Sequence, residues 1–74
     1  MIHRTDIGFY INTYNNGVLH FIIGRKYKAI GTCGNAKNVK VIGKLVDTGN
    51  MYGLELINDR GISYVIDERT LSYL

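Results

Sequence analysis

One thiol and two imidazoles are the side chains of this 74-residue sequence best suited to nucleophilic or metal chemistry. Cys33 lies in a glycine-flanked segment, but a cysteine nucleophile needs a base, and neither His3 nor His20 is near it in sequence. The histidines also have no cluster of cysteines or carboxylates at ligand spacing around them. We therefore expect no metal, no cofactor and no catalytic residue. The single cysteine fits a reducing compartment.

The triplet Asp47-Thr48-Gly49 has the sequence that aspartic proteases use at their active sites. In those enzymes two such carboxyl groups share one proton. Ile22-Ile23-Gly24-Arg25 resembles the strand that locks such sites, but here it precedes the triplet instead of following it. Asp, Thr and Gly are also ordinary turn residues, and we interpret the triplet as a turn.

The charges are divided unequally along the chain. Residues 25–46 carry six cations and no acid, whereas residues 47–74 carry five acids and two arginines. A segment of one sign attracts a partner of the opposite sign and steers its approach. The candidate nucleic-acid-binding residues are Arg25, Lys26, Lys28, Lys37, Lys40 and Lys44.

The elements that position these residues are predicted to be β-strands. No window shows the apolar spacing of a helix, and nine glycines separate runs rich in Val, Ile, Tyr and Thr. A 3₁₀ turn and a short closing strand are expected after residue 67. The predicted strands are Gly8–Tyr14, Val18–Ile23, Arg25–Thr32, Val39–Val46, Tyr52–Ile57 and Ile62–Asp67.

Alternation along two of these strands predicts a lysine face. If Tyr27 and Ala29 point inward, Lys26 and Lys28 point outward. The same alternation on Val39–Val46 sends Lys40 and Lys44 outward. Because neighbouring strands joined by one loop usually pair, we expect the four lysines on one outer face.

The first two strands form a predicted hairpin with Asn16-Gly17 as its two-residue turn. This register pairs Tyr14 with Leu19 and makes both faces of the hairpin apolar. One face would cover the end of a barrel or form a dimer contact. The candidate interface residues are Phe9, Tyr10, Ile11, Tyr14 and Ile22.

The rest of the chain shows "GRKYKAIG", "VKVIGKLVD" and "YGLELINDRGISYVIDERTL", within residues 24–74. This pattern resembles the SH3-like small β-barrels, including KOW-type and Tudor-type relatives, found in short phage and bacterial proteins. The resemblance implies an all-β fold: a small antiparallel barrel of five to six strands, with the hairpin at 8–23 added, in a single domain over 1–74. The Trp of SH3 domains that bind proline-rich peptides is missing. In the hairpin at Asn58–Gly61 every residue has a turn role, with Gly61 left-handed.

Two functions remain open at this stage. The first is a small non-enzymatic accessory or regulatory protein that contacts a host or viral protein, or a second copy of itself, through the N-terminal hairpin. The alternative is a barrel that binds DNA or RNA through the lysine face, although lysines alone read no base sequence. A solvated face that blunts strand edges is the simplest interpretation of the lysines.

Composition adds expectations about origin and location. The abundance of Ile, Asn, Lys and Tyr is typical of an AT-rich genome, such as that of a bacterial virus. The longest uninterrupted apolar run is Phe21-Ile22-Ile23, far short of a membrane span. We expect a cytoplasmic protein that does not enter a membrane.

Overall fold

The protein is all-β and contains two antiparallel sheets. The computed structural model describes residues 2–49 and 53–74, and no α-helix occurs within these ranges. No helix in the described ranges is long and apolar enough to cross a membrane. The strands are β1 Ile2–Arg4, β2 Gly8–Thr13, β3 Gly17–Ile22, β4 Lys26–Cys33, β5 Ala36–Val46, β6 Glu55–Ile57 and β7 Ser63–Ile66.

The N-terminal sheet has the strand order β1-β2-β3, and its hairpin register differs from the predicted one. Thr13 pairs with Gly17, so Tyr14, Asn15 and Asn16 form a three-residue turn instead of a two-residue one. The Thr13 hydroxyl donates to the Gly17 carbonyl at 2.7 Å and accepts from the Asn16 N–H at 3.2 Å. Gly17 has a φ of 67°, as expected after a three-residue hairpin turn. The predicted pairing of Tyr14 with Leu19 is wrong.

This register gives the hairpin one buried face and one mixed face. Phe9 and Ile11 on β2 and Phe21 on β3 are buried in the core. The outer face carries Tyr10 and Val18, which are exposed. The expectation of two apolar faces is therefore wrong, because the register moves polar residues to the outer face.

Strand β1 was not predicted from the sequence. It pairs with β2, placing Ile2 opposite Ile11 and Arg4 opposite Phe9. Arg4 forms an ion pair with Asp47, just beyond the end of β5. Because β1 is short and exposed, contacts outside its own sequence hold it in place.

Strands β4, β5, β6 and β7 form a closed barrel. The predicted pairing of β4 with β5 is confirmed, and β4 pairs with β7 at Gly31 and Thr32 to close the barrel. The barrel has four strands among the described residues, not the five to six predicted. Tyr52, the predicted start of the fifth strand, lies outside the described residues. Gly43 allows close approach of β6, since a Cβ there would overlap the Ile57 carbonyl.

A single hydrophobic core joins the two sheets. It combines residues of the N-terminal sheet with residues of the barrel and the tail. Tyrosines link the two sheets: the Ile22 N–H donates to the Tyr27 hydroxyl at 2.8 Å, and the Tyr73 hydroxyl donates to the His20 carbonyl at 2.9 Å. The core residues are Phe9, Ile11, Phe21, Tyr27, Ala29, Val41, Leu45, Leu54, Leu56, Ile66 and Leu71.

The turn at Asn58–Gly61 has the predicted geometry. The Asn58 side chain accepts from the N–H groups of Arg60 and Ile62, both at 3.0 Å, and Gly61 has a φ of 79°. The predicted 3₁₀ turn is present as the 3₁₀ helix Glu68–Thr70. The closing strand is reduced to one bridge between Lys28 and Ser72.

Candidate lysine-lined groove

The lysine face exists as the alternation predicts. Tyr27 and Ala29 point into the core, whereas Lys26 and Lys28 are exposed. On β5, Val41 and Leu45 are buried, and the exposed side chains on either side of them include Lys40 and Lys44. The four lysines therefore occupy the outer face of the β4–β5 pair.

The register brings some of these charges close together. Lys26 lies directly opposite Lys44, an arrangement of like charges that destabilises a strand pair. The Lys26 ammonium is 3.2 Å from the Asp59 carboxylate, an exposed pair that contributes little stability. Among the described residues, no carboxylate forms an ion pair with Lys28, Lys40 or Lys44. An anion bound on this face would relieve the repulsion.

Two further cations of the predicted site lie at the ends of these strands. Arg25 is exposed just before β4, and its carbonyl accepts from the Leu45 N–H at 2.9 Å. Lys37 is exposed near the start of β5, beside the turn that joins β4 to β5. They add positive charge at the two ends of the strand pair.

A groove of about 360 Å³ lies on this face. Its floor is the outer surface of β4 and β5, and its walls are the hairpin turn and the tail after the 3₁₀ helix. The side chains of Lys28 and Lys40 enter it from adjacent strands. The lining residues are Tyr14, Asn15, Lys28, Ala29, Ile30, Lys40, Val41, Ile42, Thr70 and Ser72.

Backbone hydrogen bonds fix the walls of the groove. The Tyr14 N–H donates to the Arg69 carbonyl at 2.9 Å, which ties the hairpin turn to the tail. Ser72 and Lys28 exchange two backbone hydrogen bonds, at 2.9 and 3.2 Å. The Thr70 hydroxyl accepts from the Ile30 N–H at 2.8 Å. The groove is therefore assembled from segments far apart in sequence.

The groove continues along the tail. A neighbouring depression shares Asn15, Lys28 and Ser72 with it and adds Tyr73. A third depression shares Tyr73 and reaches Arg25 and Lys26. The three depressions adjoin one another and follow the line of cations on β4.

The structure removes part of the predicted interface. Phe9 is 3% exposed and Ile11 is 0% exposed, so neither can contact a partner of the folded protein. Ile22 is half-buried, and Tyr10 and Tyr14 are exposed. Tyr14 lines the lysine-lined groove. The sequence predicts it in the apolar interface instead. The burial follows from the hairpin register, which turns Phe9 and Ile11 onto the barrel.

Tyr10 lies on the outer face of the N-terminal sheet. Its ring stacks on His20 with centroids 4.4 Å apart, and the His20 Nε2 is 3.2 Å from the Thr5 hydroxyl. This face carries no lysine among the described residues of β1, β2 and β3. The cation of β1, Arg4, is paired with Asp47, so we expect this sheet to attract phosphate less than the β4–β5 face does.

Asp47 is engaged in local and long-range contacts. Its carboxylate accepts from the Gly49 N–H at 3.0 Å and pairs with Arg4. The Gly49 N–H, and after it the Arg4 guanidinium, hold the pKa of Asp47 below its usual value of 3.8. These contacts favour the interpretation of the triplet as a turn.

Cys33 is not among the residues that line the groove. Cys33 is half-buried at the end of β4 and pairs with Ala36 across the turn. Within residues 2–49 and 53–74, no group of three or more His, Cys, Asp or Glu side chains could hold a metal ion.

Sequence reasoning missed Asn15, Thr70 and Ser72 as groove residues. No local pattern marks them, because they reach the lysines only through the hairpin turn and the tail. The comparisons add no assignment: the chain matches no protein-family model, and no curated protein or solved structure matches it.

Proposed function

We propose that this protein is a non-enzymatic SH3-like barrel that binds nucleic acid through its lysine-lined groove. The closed β4–β7 sheet, the glycine-closed turn at Asn58–Gly61 and the 3₁₀ helix before Leu71 support the SH3-like assignment. Binding to the phosphate backbone requires cations that are exposed, close together and not neutralised by acids.

The observation that carries the proposal is the pair Lys28 and Lys40 in one groove. Both are exposed, both line the groove, and neither has an acidic partner among the described residues. Lys44 and Lys26 continue the same face. Clustered charges of one sign raise the local concentration of an anionic ligand and speed its association.

A protein partner is the second candidate function. The sequence favoured it because Phe9 and Ile11 were expected on the surface, and their burial removes that basis. The exposed Tyr10 and Val18 on the outer face of the N-terminal sheet still favour it. Strand β1 lies at an edge of this sheet and offers main-chain groups for strand addition.

Fluorescence anisotropy with labelled DNA and RNA oligonucleotides tests the proposal. The variant Lys28→Ala/Lys40→Ala removes two positive charges from the groove. The control Arg60→Glu changes the net charge by the same amount at an exposed turn outside the groove. Circular dichroism melts check that both variants keep the fold.

We expect the double variant to weaken binding by about ten-fold or more, and to reduce the salt slope by about 1.4 on single strands. Arg60→Glu should stay within about two-fold of the parent protein. If both variants lose affinity equally, binding depends on the net charge of the protein and not on the groove, which would contradict the proposal. Absence of binding by the parent protein at low salt would refute the proposal.

A further inference from the structure

We propose that the groove takes single-stranded nucleic acid, with a base stacked on Tyr14 and the adjoining phosphates on Lys28 and Lys40. This inference rests on the proposed function and names the form of its ligand. Duplexes offer phosphates but hide the faces of their bases, whereas single strands offer both. The groove contains binding groups for both.

Tyr14 is an exposed aromatic ring on an anchored backbone. Its ring belongs to a residue that is 62% exposed, at the wall of a groove lined by lysines. The Arg69 guanidinium lies 5.4 Å from the ring centroid, and the Tyr14 N–H is bonded to the Arg69 carbonyl. These contacts restrict the ring before any ligand binds. An aromatic ring held in this way is a platform on which a base can stack at low entropic cost.

The floor of the groove alternates cations with apolar side chains. Lys28 lies opposite Ile42, and Lys40 lies opposite Ile30. Ile42 is 57% exposed and lies on β5 between Lys40 and Lys44. This isoleucine gives the groove an apolar surface beside its charges. A single-stranded nucleic acid has a comparable pattern, because each nucleotide carries one charged phosphate and one flat, largely apolar base.

The adjoining depressions provide space for further nucleotides. They add the amide group of Asn16, the ring of Tyr73 and the cations Arg25 and Lys26. Tyr73 is 48% exposed and its hydroxyl is bonded to the hairpin, so its ring is also fixed. A single strand that follows this path would meet two tyrosine rings and four cations.

Three labelled probes of about 12 nucleotides, within the usual site sizes of single-strand-binding barrels, separate the contributions. The first is oligothymidylate, the second is a duplex of the same length, and the third is an abasic deoxyribose-phosphate chain. The abasic chain has the charge of oligothymidylate without its bases. Each is titrated by anisotropy against the parent protein, Tyr14→Ala, Tyr14→Phe and the control Tyr10→Ala.

We expect the parent protein to bind oligothymidylate about ten-fold more tightly than the abasic chain or the duplex. Tyr14→Ala should lose about ten-fold for oligothymidylate and leave the abasic chain unchanged, with the salt slope retained. Tyr14→Phe, which keeps the ring, and Tyr10→Ala, which lies on the other face, should bind like the parent. Tyr14→Leu keeps an apolar side chain but lacks the aromatic ring, and it should lose affinity as Tyr14→Ala does. A circular dichroism melt checks that this variant keeps the fold.

Two outcomes would overturn the inference. If the duplex binds as tightly as oligothymidylate and Tyr14→Ala changes neither, the groove binds phosphates alone, and only the proposed function stands. If no probe binds to the parent protein, the proposed function fails as well, and the search turns to a protein partner.

Discussion

The N-terminal sheet and the barrel present different outer surfaces to solvent. The β4–β5 face of the barrel carries four lysines, whereas the outer face of the N-terminal sheet carries Tyr10, Val18 and His20. The inner faces of both sheets share one core. We expect the N-terminal sheet to contribute mainly stability, and we propose the β4–β5 face for binding.

The hairpin turn connects these two roles. Tyr14 and Asn15 belong to the N-terminal sheet in sequence, yet they line the groove on the barrel. The hairpin therefore supplies a wall and an aromatic ring to a surface whose charges come from other strands. If the groove binds a ligand, both sheets contribute residues to the site.

The largest expected effect is that of Ile11→Asp. Ile11 is 0% exposed, and a buried unpaired carboxylate is among the few changes that cost more than about 4 kcal/mol. Because small domains have total stabilities of about 5 kcal/mol, we expect both sheets to unfold together. Urea denaturation followed by circular dichroism measures this.

Asn12→Asp is the matched control, since Asn12 is the next residue on β2 and is exposed. It should change the stability by about 0.5 kcal/mol or less. A folded Ile11→Asp protein with only weakened self-association would return Ile11 to the interface and reverse the comparison.

The second prediction concerns Gly43→Ala in the barrel and Gly8→Ala in the N-terminal sheet. A Cβ at either position would overlap a backbone carbonyl, that of Ile57 or of Phe21. We expect each change to cost about 1–3 kcal/mol, because backbone cannot move aside as a side chain can. Thermal melts measure both, with Ser63→Ala on the exposed side of β7 as the control. A neutral Gly8→Ala would show that the N-terminal sheet is looser than the barrel.

The third prediction concerns the turn at Asn58–Gly61. Gly61 has a φ of 79° with open space around a built Cβ, so Gly61→Ala adds backbone strain without a clash. We expect a loss of about 1 kcal/mol, and a smaller loss for Gly61→Asn, since Asn tolerates this conformation. Oligonucleotide affinity should not change in either variant. A loss of affinity with unchanged stability would move this turn from scaffold to binding surface.

The smallest expected effect is the acid dependence that Arg4 and Asp47 contribute. The pKa of Asp47 is lowered in the folded protein, first by the Gly49 N–H and then by Arg4. The resulting stabilisation is complete above the usual value of 3.8 and is lost as the pH falls through the lowered pKa. Arg4→Gln should therefore bring the pKa of Asp47 part of the way back and flatten this loss.

NMR titration of the Asp47 carboxyl carbon measures the shift directly. Arg60→Gln removes the same charge at a residue that does not contribute to the lowered pKa of Asp47, and it should leave the Asp47 titration unchanged. An unchanged titration in Arg4→Gln would mean that β1 is not tied to the barrel by this ion pair.

The barrel could be predicted from the sequence more fully than the N-terminal sheet. On β4 and β5, lysines alternate with apolar residues, so a slip by one residue would turn the lysines inward, and Lys26 and Lys28 lie where alternation puts them. In the hairpin the turn chemistry of Asn16-Gly17 favours two residues, but the Thr13 hydroxyl closes a turn of three. The change of register turns the side chains of β3 to the other face relative to those of β2. Phe9 and Ile11 therefore lie with Phe21 on the buried face and not in the predicted interface.

The groove itself could be predicted only in part. Its lysines follow from local alternation, but its walls depend on the hydrogen bonds that Tyr14 makes with Arg69 and that Ser72 makes with Lys28. These contacts join residues more than forty positions apart, and no local pattern encodes them. Strand β1 was missed for another reason: its three residues are all exposed, so they show no alternation of apolar and polar side chains, although they pair with β2 and Arg4 also pairs with Asp47.

The most direct test of the central claim is a map of the binding surface. In ¹H–¹⁵N NMR spectra of the protein titrated with oligothymidylate, we predict that the largest shifts fall on the amides of Tyr14, Lys28, Lys40 and Ser72, all at the groove. The amide signals of Tyr10 and Val18 should keep their chemical shifts. Shifts concentrated on the N-terminal sheet, or no shifts at low salt, would contradict the assignment of binding to the β4–β5 face.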